Sequence, residues 1–502
     1  MRVKSTMDAE FLRYNFEDGH DGIITKTSFK LGVRHVQMVY MALCSLALGT
    51  LRSSTAVAVL AVADHTREND TYIQIHDWDR RTQGSVLSAF LMGYAIALFP
   101  AERYLKQAGD KLILAAVLLI NGGLAAAMPT IINKGGWAAA VNAHLFAGMS
   151  QACLTPVQHH LITTWLLPSE RRMFSCAIHT ALHVGTIIAF PISGSLTRAR
   201  LGWELVCYAQ AMAALTVATM WVLLTSSTPD RHEAMGDKEK EMIKDAMDTY
   251  KQKNLPLPWR RIIRSRNFWG LAGARAASNV LFIFCLTELP AIFYSINRSV
   301  EVSSIQAAFP LATLWLVYIL TAPVAKFAFR VVRFNYVFDM RYFRKVINGF
   351  GALGVCVCLV VTPHLLPGWP RLAMMMIILS QAFVGVQYSG FLENHSDVTE
   401  NFASSLLMMT GVVGAAAGAL VPLTCGAVVG DHVSNPSRWK VVFSGLCVVY
   451  AAGNVVYSAL ASADRQAWDH NNKPKIGYNN DATNMELDDI DVTSTCDLDM
   501  RI

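Results

Sequence analysis

The chain has 502 residues, 53% of them hydrophobic and only 16% charged, with a mean hydropathy of +0.33. A soluble protein carries about a quarter charged residues, so a soluble enzyme, a nucleic-acid-binding module and a disordered scaffold are all excluded. The net charge of +6 matters less than its placement.

Residues 1–35 are polar and mixed in charge, so the first apolar span is expected to act as the insertion signal. Apolar segments then recur near 37–63, 84–105, 111–130, 137–165, 174–196 and 203–225. A polar stretch follows from 227 to 267. Six more segments lie near 268–294, 305–328, 346–366, 371–393, 403–429 and 439–461. Each approaches the ~20 residues a helix needs to cross a bilayer. The expectation is an all-α integral membrane protein with twelve transmembrane helices. It divides into a tail (1–35), a six-helix half (36–226), a central loop (227–267), a second half (268–464) and an acidic tail (465–502). Two six-span halves joined by a long charged loop are the pattern of a pseudo-symmetric carrier with its site between them.

Lysine and arginine placement orients the chain. Thirty-one of the forty-three lie on the side of the two tails, ten on the other, and Arg52 and Arg275 fall inside spans. This bias predicts that both tails are cytoplasmic. The sequons at Asn69 and Asn297 then face the exterior or a lumen, as candidate glycosylation sites. A third, at Asn394, falls at the inner end of span ten and is read as chance. Nine of the ten cysteines lie in apolar runs without metal-type pairing, which points to packing. Glycines and prolines within spans, among them Gly93, Gly148, Gly185 and Gly426, permit close approach and kinks.

The loop before span two is more specific. Trp78-Asp79, Thr82-Gln83-Gly84, Leu87-Ser88, Phe90 and Gly93-Tyr94 resemble the entry to the second helix in solute carrier family 17, the anion-transporting branch of the major facilitator superfamily. Span four (Gly148, Pro156, His159, Trp165, Pro168, Glu170-Arg171) and span five (Gly185, Pro191, Gly194) continue the similarity. So do Leu286-Thr287-Glu288-Leu289-Pro290, Arg344-Lys345, Gly390, Asn394, Asp397 and Thr410 through Pro422. The resemblance runs from about residue 34 to Trp468. It implies the major facilitator fold and a small anionic substrate such as phosphate, glutamate or sialate. Arg52 occupies the family's first-helix arginine position. The resemblance also implies substrate contacts at His144, His159 and Tyr94, with coupling and gating at Gln151, Glu288, Glu170, Arg171, Asn394 and Asp397.

The departures bear on coupling. His144 stands where the family has an arginine and Gln151 where it has an acid. Pro100-Ala101-Glu102 replaces a proline-glycine-glycine, Lys326 an aspartate and Gly411 an asparagine.

A charge inside a span costs about 2.5–3.5 kcal/mol on insertion scales and so faces a cavity or a partner. Arg52 is either an anion clamp, its guanidinium offering a fork of donors, or part of an internal salt bridge. His144 and His159, fifteen residues apart on one expected helix, share a face; each binds an anion or relays a proton, or packs as a neutral ring. His144 replaces a fixed charge with one whose reference pKa is ~6.5. His179 and His183 read as packing residues. Glu288 takes a proton or pairs with Arg52 or Arg275, or sits as a polar residue in the outer vestibule. Glu170-Arg171 and Arg344-Lys345 lie at inner helix ends, where this superfamily forms gating salt bridges. Residues 235–253, with alternating charges and Met242, Ile243, Met247 and Tyr250 at helical spacing, read as a short amphipathic helix, a solvated connector on the inner face.

No phosphate-binding glycine loop, zinc spacing or nucleophile triad occurs, so the expectation is a non-enzymatic carrier without a cofactor. It works as a monomer in the bilayer, without nucleic acid, and co-transports Na+ or H+. A sensor that keeps the fold without transport, and an uncoupled anion uniporter, are the rival readings. The expected membrane is the plasma membrane or a lysosomal or vesicular one.

Overall fold

The computed structural model describes residues 32–69, 72–249, 257–334, 340–399, 401–430 and 435–469. Most of the N-terminal tail, the acidic C-terminal tail from 470, Tyr250 and Asp70-Thr71 of the first sequon lie outside them, as do the side chains of Glu102 and Lys326.

The first half contains α1 (Val33–Val62), α2 (Arg80–Ala108), α3 (Asp110–Gln151), α4 (Leu154–Trp165), α5 (Pro168–Leu196) and α6 (Gly202–Leu224). Two short helices, α7 (Asp237–Thr249) and α8 (Trp259–Arg264), lead to the second half. There α9 (Arg266–Thr287) and α10 (Leu289–Asn297) precede α11 (Val300–Phe334), α12 (Met340–Leu365), α13 (Pro370–Val398), α14 (Ala403–Val429) and α15 (Pro436–Leu460).

Ten segments among the described residues are long and apolar enough to cross a membrane. The twelve crossings follow from two further observations. Asp110–Trp165 counts as one 56-residue segment, which as a straight helix would be about 84 Å long against a hydrocarbon core of about 30 Å. It turns back at Gly136, whose φ of 64° and ψ of −163° no L side chain adopts without strain. The other crossing is α2, whose charges lie at its ends while 82–101 carries none. It starts at Asp79, which caps the helix by accepting from the Thr82 N–H at 2.8 Å. The bonds to Thr82 hold the Asp79 carboxyl below its ordinary range.

Within the first half α1 packs on α5 and α6, α2 on the second arm of α3, and the first arm of α3 on α6. The same relations recur six spans later as α9 on α14 and α15, α11 on α13, and α12 on α15. The halves meet through α2 against α14 and α5 against α11, pairs that exchange under the same pseudo-symmetry. The fold is therefore all-α, with twelve membrane helices in two pseudo-symmetric six-helix bundles. Glycine sets the closest crossings. A Cβ on Gly148 would lie 1.9 Å from the Phe90 carbonyl oxygen, and one on Gly93 2.0 Å from that of Leu145. No larger residue fits where α2 and α3 cross.

Call the side where α1 begins and α15 ends the near side. Its ion pairs include several made within one half. Arg34 bonds Glu170 and Glu239, each at 2.9 Å, and Arg344 bonds Asp397 at 2.8 Å. On the far side three contacts cross between halves. Arg80 meets Glu288, Tyr294 donates to Asp64 at 2.6 Å, and Arg198 reaches Glu301 at 3.1 Å. The far side is closed.

The amphipathic helix forms as α7, but it is no solvated connector. Ile243 and the preceding Met235 are buried in the first half's apolar cluster, and Arg171 contacts the Met247 sulfur at 3.2 Å. Glu239 reaches the start of α1, accepting from the backbone N–H of Val33 and Arg34 at 3.1 and 3.3 Å. A carboxylate at a helix N-terminus satisfies orphan donors and opposes the helix dipole, so burial of one face and this cap hold α7 down.

Candidate functional site

Arg52 lies on the inward stripe of α1, nearly three turns short of its far end, and its guanidinium is held by three side chains. Nη2 donates to Gln151 Oε1 at 3.2 Å. The rings of Phe90 and Tyr94 each lie 5.2 Å from its central carbon, within cation–π range. Those two rings stack because they sit four residues apart on α2. Arg52 Nε is buried and has no hydrogen-bond partner among the described residues.

Behind Arg52 is a neutral amide relay. Gln151 Nε2 donates to Asn121 Oδ1 at 3.0 Å, and Asn121 Nδ2 donates to Ser150 Oγ and to the Val117 carbonyl, both at 2.7 Å. Arg52, Gln151 and Asn121 line a cavity of about 710 Å³, its mouth included, between α1, α2, α3 and α6. Phe90, Trp78, Trp203 and Met128 form much of its wall, and no carboxylate appears among its lining residues. A guanidinium in such surroundings favours an incoming anion, since an unpaired charge out of water is costly.

His144 lines the same cavity. Its Nδ1 lies 3.1 Å from the Ala140 carbonyl, one turn back on α3. A carbonyl only accepts, so Nδ1 carries the proton and Nε2 is left for other contacts. His159 is elsewhere. α3 gives way to α4 at Ala152 and Cys153, both still in the right-handed helical region, and His159 is not among the residues that line this cavity. His159 is exposed on α4, within electrostatic reach of His179.

The expected pairing of Glu288 with Arg52 or Arg275 is also overturned. Glu288 is fully buried at the break between α9 and α10 and bonds Arg80. The break arises because Pro290 follows two residues later and lacks an N–H. Glu170 bonds Arg34 and lies 3.4 Å from His35 Nε2. Its neighbour Arg171 donates to the carbonyls of Leu166 and Thr163 at 3.1 and 3.0 Å. Asp397 is the partner of Arg344. Asn394 is buried and donates to the Tyr457 hydroxyl at 3.1 Å and the Ser462 carbonyl at 3.3 Å, a tie between α13 and the end of α15. Asn69 is exposed, and Asn297 is half-buried with its amide 2.8 Å from Gln306 Oε1.

Two residues outside the expected site stand close to it. His183 on α5 stacks on Trp315 of α11 with centroids 3.7 Å apart, a contact between halves. It lies within electrostatic reach of both Arg52 and Arg275. Arg275, on α9, was legible as an intramembrane charge; that His183 joins it to Arg52 was not.

Comparison with known proteins agrees with this architecture. The model of the Major Facilitator Superfamily matches residues 41–422. A Drosophila melanogaster protein named "Putative inorganic phosphate cotransporter" is 26% identical over 489 residues, covering 92% of this chain and 91% of that protein. Human sialin is 25% identical, covering 78% of each chain. Human vesicular glutamate transporter 2 is 24% identical over 80% of this chain and 69% of its own. Among solved structures, a bacterial homologue of the human lysosomal transporter Spinster matches with a TM-score of 0.63 at 14% identity, covering 86% of this chain and 96% of that one. The family resemblance read from the loop before span two thus points to the same group of transporters, and the chain belongs to the Major Facilitator Superfamily.

Proposed function

We propose that this multi-pass membrane protein is a secondary active carrier of a small anion, inorganic phosphate or a carboxylate. It moves its substrate by alternating access, drawing on a Na+ or H+ gradient. The observation that carries the reading is Arg52: a guanidinium between two aromatic faces, in a cavity lined by no carboxylate, with one nitrogen unpartnered. Its planar fork matches the oxygens of phosphate or carboxylate. His144 and Tyr94 complete the anion contacts in this reading, and Gln151 positions the guanidinium. The near-side pairs of Glu170 and Asp397 brace the inner helix ends while the halves rock. The charge bias along the sequence supports cytoplasmic termini, with Asn69 and Asn297 facing the exterior or a lumen.

The relatives named as phosphate, sialate and glutamate transporters support this substrate class. The test is uptake of labelled phosphate, glutamate and sialate into proteoliposomes holding the full chain, with and without Na+ and H+ gradients. Gradient-driven uptake of one of them is expected. Flux that ignores both gradients would make the protein a uniporter, the reading favoured by Gln151 standing where the family has an acid. Absence of flux for all three would reject the carrier reading.

A further inference from the structure

The far side of the molecule is shut by a buried ion pair that joins its halves. Arg80, the first residue of α2, directs Nη2 to Glu288 Oε2, and the two side chains are 6% and 1% exposed. Gln83 accepts from Arg80 Nη1 at 2.6 Å, and the Thr287 hydroxyl lies 3.3 Å from Glu288 Oε1. The Arg80 carbonyl presses on α14, where a Cβ on Gly426 would come within 2.6 Å of it.

The titratable and charged groups about this pair are few. On α14 the Cys425 thiol is buried within electrostatic reach of both partners. On α10 the Tyr294 hydroxyl is turned to Asp64, which follows α1, and Arg298 lies near that tyrosine. At the start of α2, Asp79 is occupied with Thr82, and Arg81 is exposed. Arg80 is the ionised group that faces Glu288.

We propose that the Arg80–Glu288 pair is the far-side gate of this carrier and that acid on the far side holds it open by protonating Glu288. The proposal rests on reading the chain as an alternating-access carrier. Opening the far side separates α2 from the α9–α10 break. Arg80 sits at a helix start, and its long side chain can follow the water. Glu288 is short, set in a helix break and flanked by buried Leu289, Ile292 and Phe293, so separation strands its carboxylate without a counter-charge. A stranded buried carboxylate takes up a proton. The proton comes from far-side water to Glu288 Oε2 and returns to it when Arg80 comes back. It therefore biases the gate and does not cross the membrane.

Cys425 is a built-in reporter, because its thiol is buried beside the closed pair. The full chain in lipid nanodiscs is treated with a water-soluble thiosulfonate, and modification of Cys425 is read by peptide mass spectrometry. Each rate is divided by that of the SDS-unfolded chain at the same pH, which removes the intrinsic pH dependence of the thiol. Arg80→Gln and Glu288→Gln are expected to label about tenfold faster than wild type near pH ~7.5, and the reciprocal exchange of the two residues to return the rate toward wild type. Lowering the pH to ~5 should raise the wild-type rate several-fold and leave Glu288→Gln unchanged. Equal rates in wild type and both single variants, failure of the folded exchange variant to restore protection, or the same pH response in wild type and Glu288→Gln would overturn the proposal. Should the variants not fold, the wild-type rate decides: one that stays flat or falls on acidification overturns it. Uptake of phosphate, glutamate and sialate by the same protein is scored separately. Loss of the gate response beside intact uptake rejects the gate alone, whereas absence of phosphate, glutamate and sialate uptake rejects the carrier reading and the gate with it.

Discussion

Replacing Arg52 with lysine keeps the positive charge and removes the fork. In the structure the guanidinium is fixed by Gln151 and by two aromatic faces, leaving its Nε free for a ligand. An ammonium at this position can offer an anion a point contact in place of two parallel bonds. The loss is about one charge-assisted hydrogen bond, roughly 1.5–3 kcal/mol, which corresponds to about a 10- to 150-fold rise in the substrate concentration for half-maximal uptake. Arg52→Ala removes the cation altogether and should bring uptake to background. The assay is the initial rate of uptake into proteoliposomes against concentration for the substrate that the panel of anions identifies. Folding of each variant is checked by its elution profile. A correctly folded Arg52→Ala protein with wild-type concentration dependence would refute the clamp and with it the main support for an anion substrate.

His144→Arg restores a permanent charge facing the cavity and should preserve transport while flattening the pH dependence of apparent affinity, whereas His144→Gln should lower affinity at acidic pH; a wild-type profile from both variants makes His144 a packing residue. Glu239→Ala frees the start of α1 and removes one of the two carboxylates that hold Arg34, so the thermal midpoint in detergent should fall by an amount matching about 1–2 kcal/mol, while Glu239→Gln should recover part of it; an unchanged midpoint would mean that α7 is held by its apolar face alone. Glycan mapping and protease protection should find 227–267 on the cytoplasmic side and, if either sequon is used, the glycan at Asn69 or Asn297 on the other; cleavage of the central loop from outside would invert the proposed topology.

The crossings were readable in the chain itself because hydropathy accumulates along contiguous residues. Where the structure counts one 56-residue segment, the interruption at Lys134-Gly135-Gly136 already marks two spans. Intramembrane cost likewise singled out Arg52 before any neighbour was known. The partner of Glu288 was beyond such reasoning. Arg80 lies 208 residues away in sequence and outside the apolar core of its own span, so nothing local distinguishes it from Arg81 beside it. Only the packing of α2 on the second half turns the one inward to a buried pair and leaves the other in solvent. Depth separated the histidines in the same way. A periodicity of 3.6 puts residues fifteen apart on one face, but it does not say how far along the bundle a cavity extends, and the cavity beside Arg52 takes in His144 and not His159. The amphipathic stretch of α7 announced its apolar face but not what would cover it, because alternating charges on one side of a helix read the same over water and over a membrane-embedded bundle. The cap that Glu239 places on α1 exists only once two segments some two hundred residues apart are brought together, and a pattern confined to neighbouring residues carries no information about that distance.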